Sequence, residues 1–306
     1  MGPDLEVLIP TRNREIELAT TLSGLAAQDL PGFGVVVSDQ SDAAPGYDTA
    51  TARAMRRVLT RQGHPIRVGR HLPRRGMAEH RAHLLSRATA RYVLFLDDDV
   101  WLEPTTLTRM RRAIGDLGCG LVGCAVQGLS HLDDFRPGEL APFELWRGPP
   151  QPERIIRGEP EWERWTLHNA ANPAHLADAV VRRPGRTYAY KIAWIGGCVL
   201  YDRAALLATG GFDFWTELPA EHSGEDVLAQ LRVIARFGGA GLLPSGAIHL
   251  ESPTTVTDRR VEAYEVVPPE FWPQHAVSGD GRDARQGVRQ RAGRAVRPRH
   301  SRSSPT

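Results

Sequence analysis

The amino-acid sequence predicts an α/β protein of the Rossmann-like kind, with a mostly parallel central sheet and helices on both faces. Three observations carry this prediction. Apolar runs of strand length alternate with helically spaced segments through residues 1–115, the connections between them are short, and the apolar runs end in polar clusters. With 306 residues, 41% of them hydrophobic and 24% charged, the chain has room for one large α/β domain or two fused halves around a substantial core.

Leu5–Ile9, closed by Pro10, reads as a buried first strand. Glu15–Ala27 places Ile16, Leu18, Leu22 and Leu25 at helical spacing, with Asn13 or Thr11 as its cap. Phe33–Ser38 is a second strand ending at Asp39, Thr49–Gln62 a helix, Ile66–Gly69 a short strand, Ala78–Thr89 a helix and Tyr92–Leu96 a strong strand. Pro10–Arg14, Asp39–Ser41 and Asp97–Asp99 therefore fall at the carboxyl ends of strands, where such sheets bind ligands.

Residues 116–277 form the second half. Residues 129–190 are rich in Pro, Trp and Arg and follow neither period. Ile192–Tyr201 is strand-like but broken by Gly196-Gly197. Asp202–Thr209 reads as a short helix, Asp226–Phe237 as a longer one and Ala247–Leu250 as a last strand. Residues 278–306 are Arg-, Gly-, Ser- and Pro-rich, the composition of a disordered tail.

The formal net charge of +2 excludes a polycation built to coat nucleic acid, so no specific nucleic-acid partner is expected. Lys191 is the only lysine; arginine supplies the rest of the basic charge. Cys119, Cys124 and Cys198 form no CxxC pair and suit a reducing cytoplasm. No apolar run reaches the ~20 residues that cross a bilayer. The tail arginines, from Arg282 to Arg302, suit a solvated end, or peripheral contact with anionic lipid on the inner face of a membrane.

Asp97-Asp98-Asp99 places three carboxylates at the end of a buried strand. Their mutual repulsion is relieved by a hard divalent cation, Mg²⁺ or Mn²⁺; a solvated Asp-rich turn accounts for the triplet equally well. Gly224-Glu225-Asp226 opens a helix, where acids serve either as general base for a hydroxyl or as ordinary partners of the helix dipole. Trp146, Trp162, Trp165, Tyr188, Tyr190 and Trp194 crowd the irregular middle. Core filling explains them better than a sugar-stacking platform.

Taken in order, these segments resemble glycosyltransferase family 2, the inverting enzymes of GT-A fold, over residues 5–250. Val7–Arg14 resembles the family's first strand and nucleotide loop, and Val35–Ser41 its second strand. Gly76-Met77-Ala78-Glu79-His80-Arg81 resembles its Gly-x-Ala-x-x-Arg segment and Phe95–Asp99 its DxD motif. Gly210-Gly211-Phe212-Asp213 and Glu225-Asp226 resemble two later motifs. The resemblance implies a nucleotide-diphosphate sugar as donor and a hydroxyl of unassigned identity as acceptor. Pro10, Thr11, Arg14, Asp39, Arg81, Asp97 and Asp98 would then line the nucleotide side. Asp99, Asp97 and His249 would hold Mn²⁺ or Mg²⁺, Asp226 would be the catalytic base and Glu225 would position the acceptor or sugar. Glu217, Glu221 and Glu225 all stand near the expected acceptor side. Gln40, where the family has a second acid, and Gly196-Gly197-Cys198, without a polar residue, depart from the pattern. A nucleotidyltransferase is the competing enzyme class, but it places a glycine-rich, lysine-bearing loop where Pro10–Arg14 stands. A non-catalytic sugar-nucleotide-binding module is the non-enzymatic alternative.

Overall fold

The computed structural model describes residues 2–256 and 258–273; the Arg-rich tail lies outside them. The first strands form because runs of Val, Leu and Ile are buried on both faces. β1 (Leu5–Thr11) is enclosed along its whole length, followed by α1 (Glu15–Ala26) and β2 (Gly34–Asp39). Next come α2 (Ala50–Arg61), β3 (Ile66–Arg70), α3 (Met77–Arg87) and β4 (Tyr92–Leu96). The chain continues through β5 (Val100–Leu102), α4 (Thr106–Leu117), β6 (Leu121–Gly123), α5 (Asn172–Val180), β7 (Tyr188–Tyr190) and β8 (Cys198–Asp202). It ends with α6 (Arg203–Ala208), α7 (Glu225–Phe237), β9 (Gly239–Leu243), β10 (Ala247–His249) and α8 (Ala263–Val266).

Eight strands make one sheet in the order β3-β2-β1-β4-β8-β6-β9-β7, and β5 pairs with β10 in a separate ribbon. β1, β2, β3 and β4 run parallel, as do β6 and β9. β8 enters antiparallel between β4 and β6, and β7 lies antiparallel on β9. The two-residue period of a strand divides the core. Val7, Ile9, Val35, Val37, Leu94 and Leu96 face α1, α2 and α4, whereas Leu8, Val36, Val93 and Phe95 face α3, α6 and α7. Among the described residues no helix is long and apolar enough to cross a membrane.

Two local expectations need correction. Neither Asn13 nor Thr11 caps α1. Arg14 occupies the N-cap without a side-chain cap bond, Thr11 closes β1, and Asn13 sits at φ 53° with its amide on Asp42. Of Ile192–Tyr201 only the part from Cys198 is strand. Upstream, Gln230 bonds both main-chain groups of Ile195, accepting from its N–H at 2.8 Å and donating to its C=O at 2.8 Å. A side chain thus takes the place of a neighbouring strand. The middle region is mostly turns and short 3₁₀ segments around α5 and β7. Trp162 and Tyr190 are buried there, and Trp194 packs tilted against Trp162 and parallel to Trp165, in keeping with core filling.

Candidate active site

β1, β2 and β4 deliver their polar ends to one edge of the sheet. Pro10 and Thr11 pair with Ser38 and Asp39 in the parallel ladder. Asp39 is fully buried, and its carboxylate accepts from the Ser41 N–H (2.6 Å) and the Gly46 N–H (2.7 Å). The side chain therefore orders the loop after β2.

The turn after β4 is fixed on every side. The Asp97 N–H donates to Gly197 O, the Thr21 hydroxyl to Asp98 O and the Leu250 N–H to Asp99 O. The side chains then separate. Asp98 is buried and accepts from the Thr11 hydroxyl (2.6 Å) and from Arg14 Nη1 (3.0 Å). Burial pushes its carboxyl up to about 7 against the pull of Thr11 and Arg14. Asp99 is buried too, but its pKa moves the other way. Burial raises it, and the His249 and Arg14 contacts outweigh burial and hold it below the usual range. Arg14 Nη1 lies 2.5 Å and His249 Nε2 3.4 Å from Asp99 Oδ2, and His249 is raised, chiefly by that hydrogen bond. Arg14 also donates to Pro253 O.

Asp97 is the most open of the three, its side chain 36% exposed, and points to a different arginine. Arg81, buried on α3, donates from Nη2 to Asp97 (3.2 Å) and from Nε to Glu225 (2.9 Å), and lies over the Phe95 ring. Burial lowers the pKa of its guanidinium; Asp97, Glu225 and Asp226 together more than reverse this. Glu225 is buried on Arg81, while Asp226 is partly exposed. Burial, then the charge of Glu225, raises the Asp226 carboxyl to about 7 against the opposing pull of Arg81. Glu217 and Glu221 are exposed.

Three contributors were not read from the sequence. His222 accepts the Ala78 N–H at Nε2 and bonds Pro219 O through Nδ1, tying the start of α3 to the segment before α7. Gly76 has no Cβ there, and one would lie 2.5 Å from the His222 ring. Glu262 is brought to the N-terminus of α7 by backbone pairing of Ser223 with Val261 and Ala263, and burial raises its carboxyl to about 7. Thr21 is the third. No local motif marks any of them, because each acts across a long sequence separation.

A divalent cation was expected on Asp97, Asp99 and His249. Two carboxylates and an imidazole suit Mn²⁺ or Mg²⁺ chemically. Among the described residues, however, no three His, Cys, Asp or Glu side chains are gathered as a cation site, and the Asp99 oxygen nearest His249 is held by Arg14. By chemical type the donor set suits such an ion; in this arrangement the three side chains are not gathered around one point.

This fold and this edge define a protein of the GT-A class. The chain belongs to glycosyl transferase family 2, whose model matches residues 6–167. That span includes Arg81 and Asp97–Asp99 and ends before Glu225, Asp226 and His249. Two solved structures are similar in fold. The mannosyltransferase PcManGT from Pyrobaculum calidifontis, in complex with GDP-Man and Mn²⁺, shares 18% identity at a TM-score of 0.51 over 84% of this chain and 59% of its own. TarS 1–349 from S. aureus, in complex with UDP-GlcNAc, shares 19% identity at a TM-score of 0.51 over 84% of this chain and 60% of its own. The chain thus spans about three fifths of each. No curated protein matches it.

Proposed function

We propose that the chain is an inverting glycosyltransferase that moves a sugar from a nucleotide-diphosphate donor to an acceptor hydroxyl with a divalent cation. One observation carries the reading. Arg81 grips Asp97 and Glu225 together, which joins the acidic turn of the sheet to the helix that presents Asp226. Residues 1–115 would hold the donor and residues 116–277 the acceptor. Pro10, Thr11 and the loop ordered by Asp39 would receive the nucleotide. Arg14 and Arg81 would supply positive potential beside the diphosphate, with Asp98 keeping Arg14 in place.

Asp97, Asp99 and His249 would hold Mn²⁺ or Mg²⁺, which when bound neutralises charge on a leaving diphosphate. Asp226, partly exposed and raised to about 7, is poised to take a proton from the acceptor hydroxyl near neutral pH. Attack from the face opposite the leaving group inverts the anomeric carbon. Glu225 stays on Arg81 and orients the start of α7.

The test is a panel of UDP-, GDP- and dTDP-sugars with Mn²⁺ or Mg²⁺, read as nucleotide release and as thermal shift. Release with one donor supports the transferase. Thermal shift without release makes the chain a binding module, and the absence of both responses with every donor sinks the reading.

A further inference from the structure

The C-terminal half of α7 bears a second polar feature, away from the acidic edge. Together with the end of α6 and the segments around residues 154 and 270, it lines an open surface pocket of about 540 Å³ bordered by Arg154, Arg232, Arg236, Thr209 and Glu270. Arg232 and Arg236 are four residues apart and share one helix face. Arg154 is held against the same helix because the neighbouring Glu153 N–H donates to Ile234 O (3.2 Å) while the Glu153 carboxylate binds Arg164 (3.0 Å).

Arg232 is the most enclosed of the three arginines. Its side chain is 14% exposed, its guanidinium lies over Phe214 and Nη2 meets Glu270 at 3.0 Å. Its Nε is buried and, among the described residues, has no hydrogen-bond partner. Arg236 is exposed, donates to Ala208 O (2.9 Å) and lies over the Phe237 ring.

Three guanidiniums around one pocket repel one another, and Glu270 offsets only one of them. The two remaining charges match a phosphate dianion, and the fork of a guanidinium matches its oxygens. We propose that this pocket is a phosphate-binding site, distinct from the reaction centre, for a phosphorylated small molecule or the phosphate headgroup of a lipid. Arg232 and Arg236 follow Asp226 by six and ten residues, roughly 9 and 15 Å along the helix axis. A phosphate held there is a different group from a diphosphate at the acidic turn.

The test is calorimetric titration of the full chain with inorganic phosphate, alongside sedimentation with phosphatidic acid vesicles and with phosphatidylcholine vesicles. Arg154→Gln and Arg236→Gln change exposed side chains, and each is expected to weaken phosphate binding at least about fivefold. Glu270→Gln removes the competitor of Arg232 and is expected to tighten it several-fold. A merely structural role for Glu270 predicts no tightening. Sedimentation with phosphatidic acid that Arg236→Gln abolishes identifies the lipid source. Phosphate binding without such sedimentation identifies the soluble one. Absence of both, phosphate binding unchanged in the Arg154→Gln, Arg236→Gln double variant, or weaker binding in Glu270→Gln overturns the proposal.

Discussion

Arg14 and Arg81 divide the Asp97–Asp99 turn between them, yet they are held in different ways. Arg14 stands at the end of a loop, reaches Asp98 and Asp99 through one nitrogen and touches Pro253 with another. Arg81 projects from the body of α3, is flanked by Phe95 and joins two carboxylates from separate elements. On the proposed function, the first arrangement is a cation that a metal ion would replace; the second joins two elements. On that reading the acidic turn is exchangeable at Asp99 and held at Asp97.

The largest expected effect lies on the fixed side. Asp226→Asn should reduce transfer about 10²- to 10⁴-fold while leaving donor-induced thermal shift in place. Near-normal turnover would remove Asp226 from the role of base. Arg81→Leu should destabilise the fold by about 3–5 kcal/mol in urea unfolding, because Glu225 loses its buried partner. A Glu225→Gln, Arg81→Leu double variant should recover part of that loss. Arg14→Gln should cost less, since Asp98 keeps its Thr11 bond. In the absence of donor it should tighten Mn²⁺ binding on the order of tenfold, ~1.4 kcal/mol. Weaker Mn²⁺ binding in that variant would erase the contrast between the two arginines.

The pH responses are smaller and distinguish activity from stability. Protonation of Asp226 should make turnover fall as pH drops through about 7. For stability the sign is reversed. A carboxyl raised from 3.8 to about 7 by folding favours the native state in acid, and that contribution is lost as pH rises across the interval. Asp226→Asn should therefore be more stable than the parent at pH 8 in chemical denaturation, with the gain fading toward pH 4.

The acidic turn and β1, β2 and β4 were legible because enclosed strands spell themselves in Val, Ile and Leu and their polar ends follow directly. β9 was not, since Gly239–Leu243 has two glycines in five residues; Gly241 is there because the Tyr190 ring lies 2.2 Å from where its Cβ would stand. α4 carries Leu107, Met110 and Ile114 at helical spacing, but follows a left-handed Thr105 that hides its start. At the site, Asp99 and Arg81 were readable from their segments. The guanidinium of Arg14 lying on Asp98 and Asp99 was not, because that contact joins residues more than eighty positions apart.

The clasp of Gln230 on Ile195 sets limits on which sequences can drift into this fold. Glu at position 230 accepts from the Ile195 N–H but offers no donor to its C=O and brings a charge into a fully enclosed place. Leu fills the volume and leaves both main-chain groups unmatched. Asn carries the same amide on a side chain one carbon shorter. In a saturation library the position should tolerate fewer substitutions than the glutamates exposed a turn before α7, and relatives that have lost Gln230 should have rebuilt the path of residues 192–197.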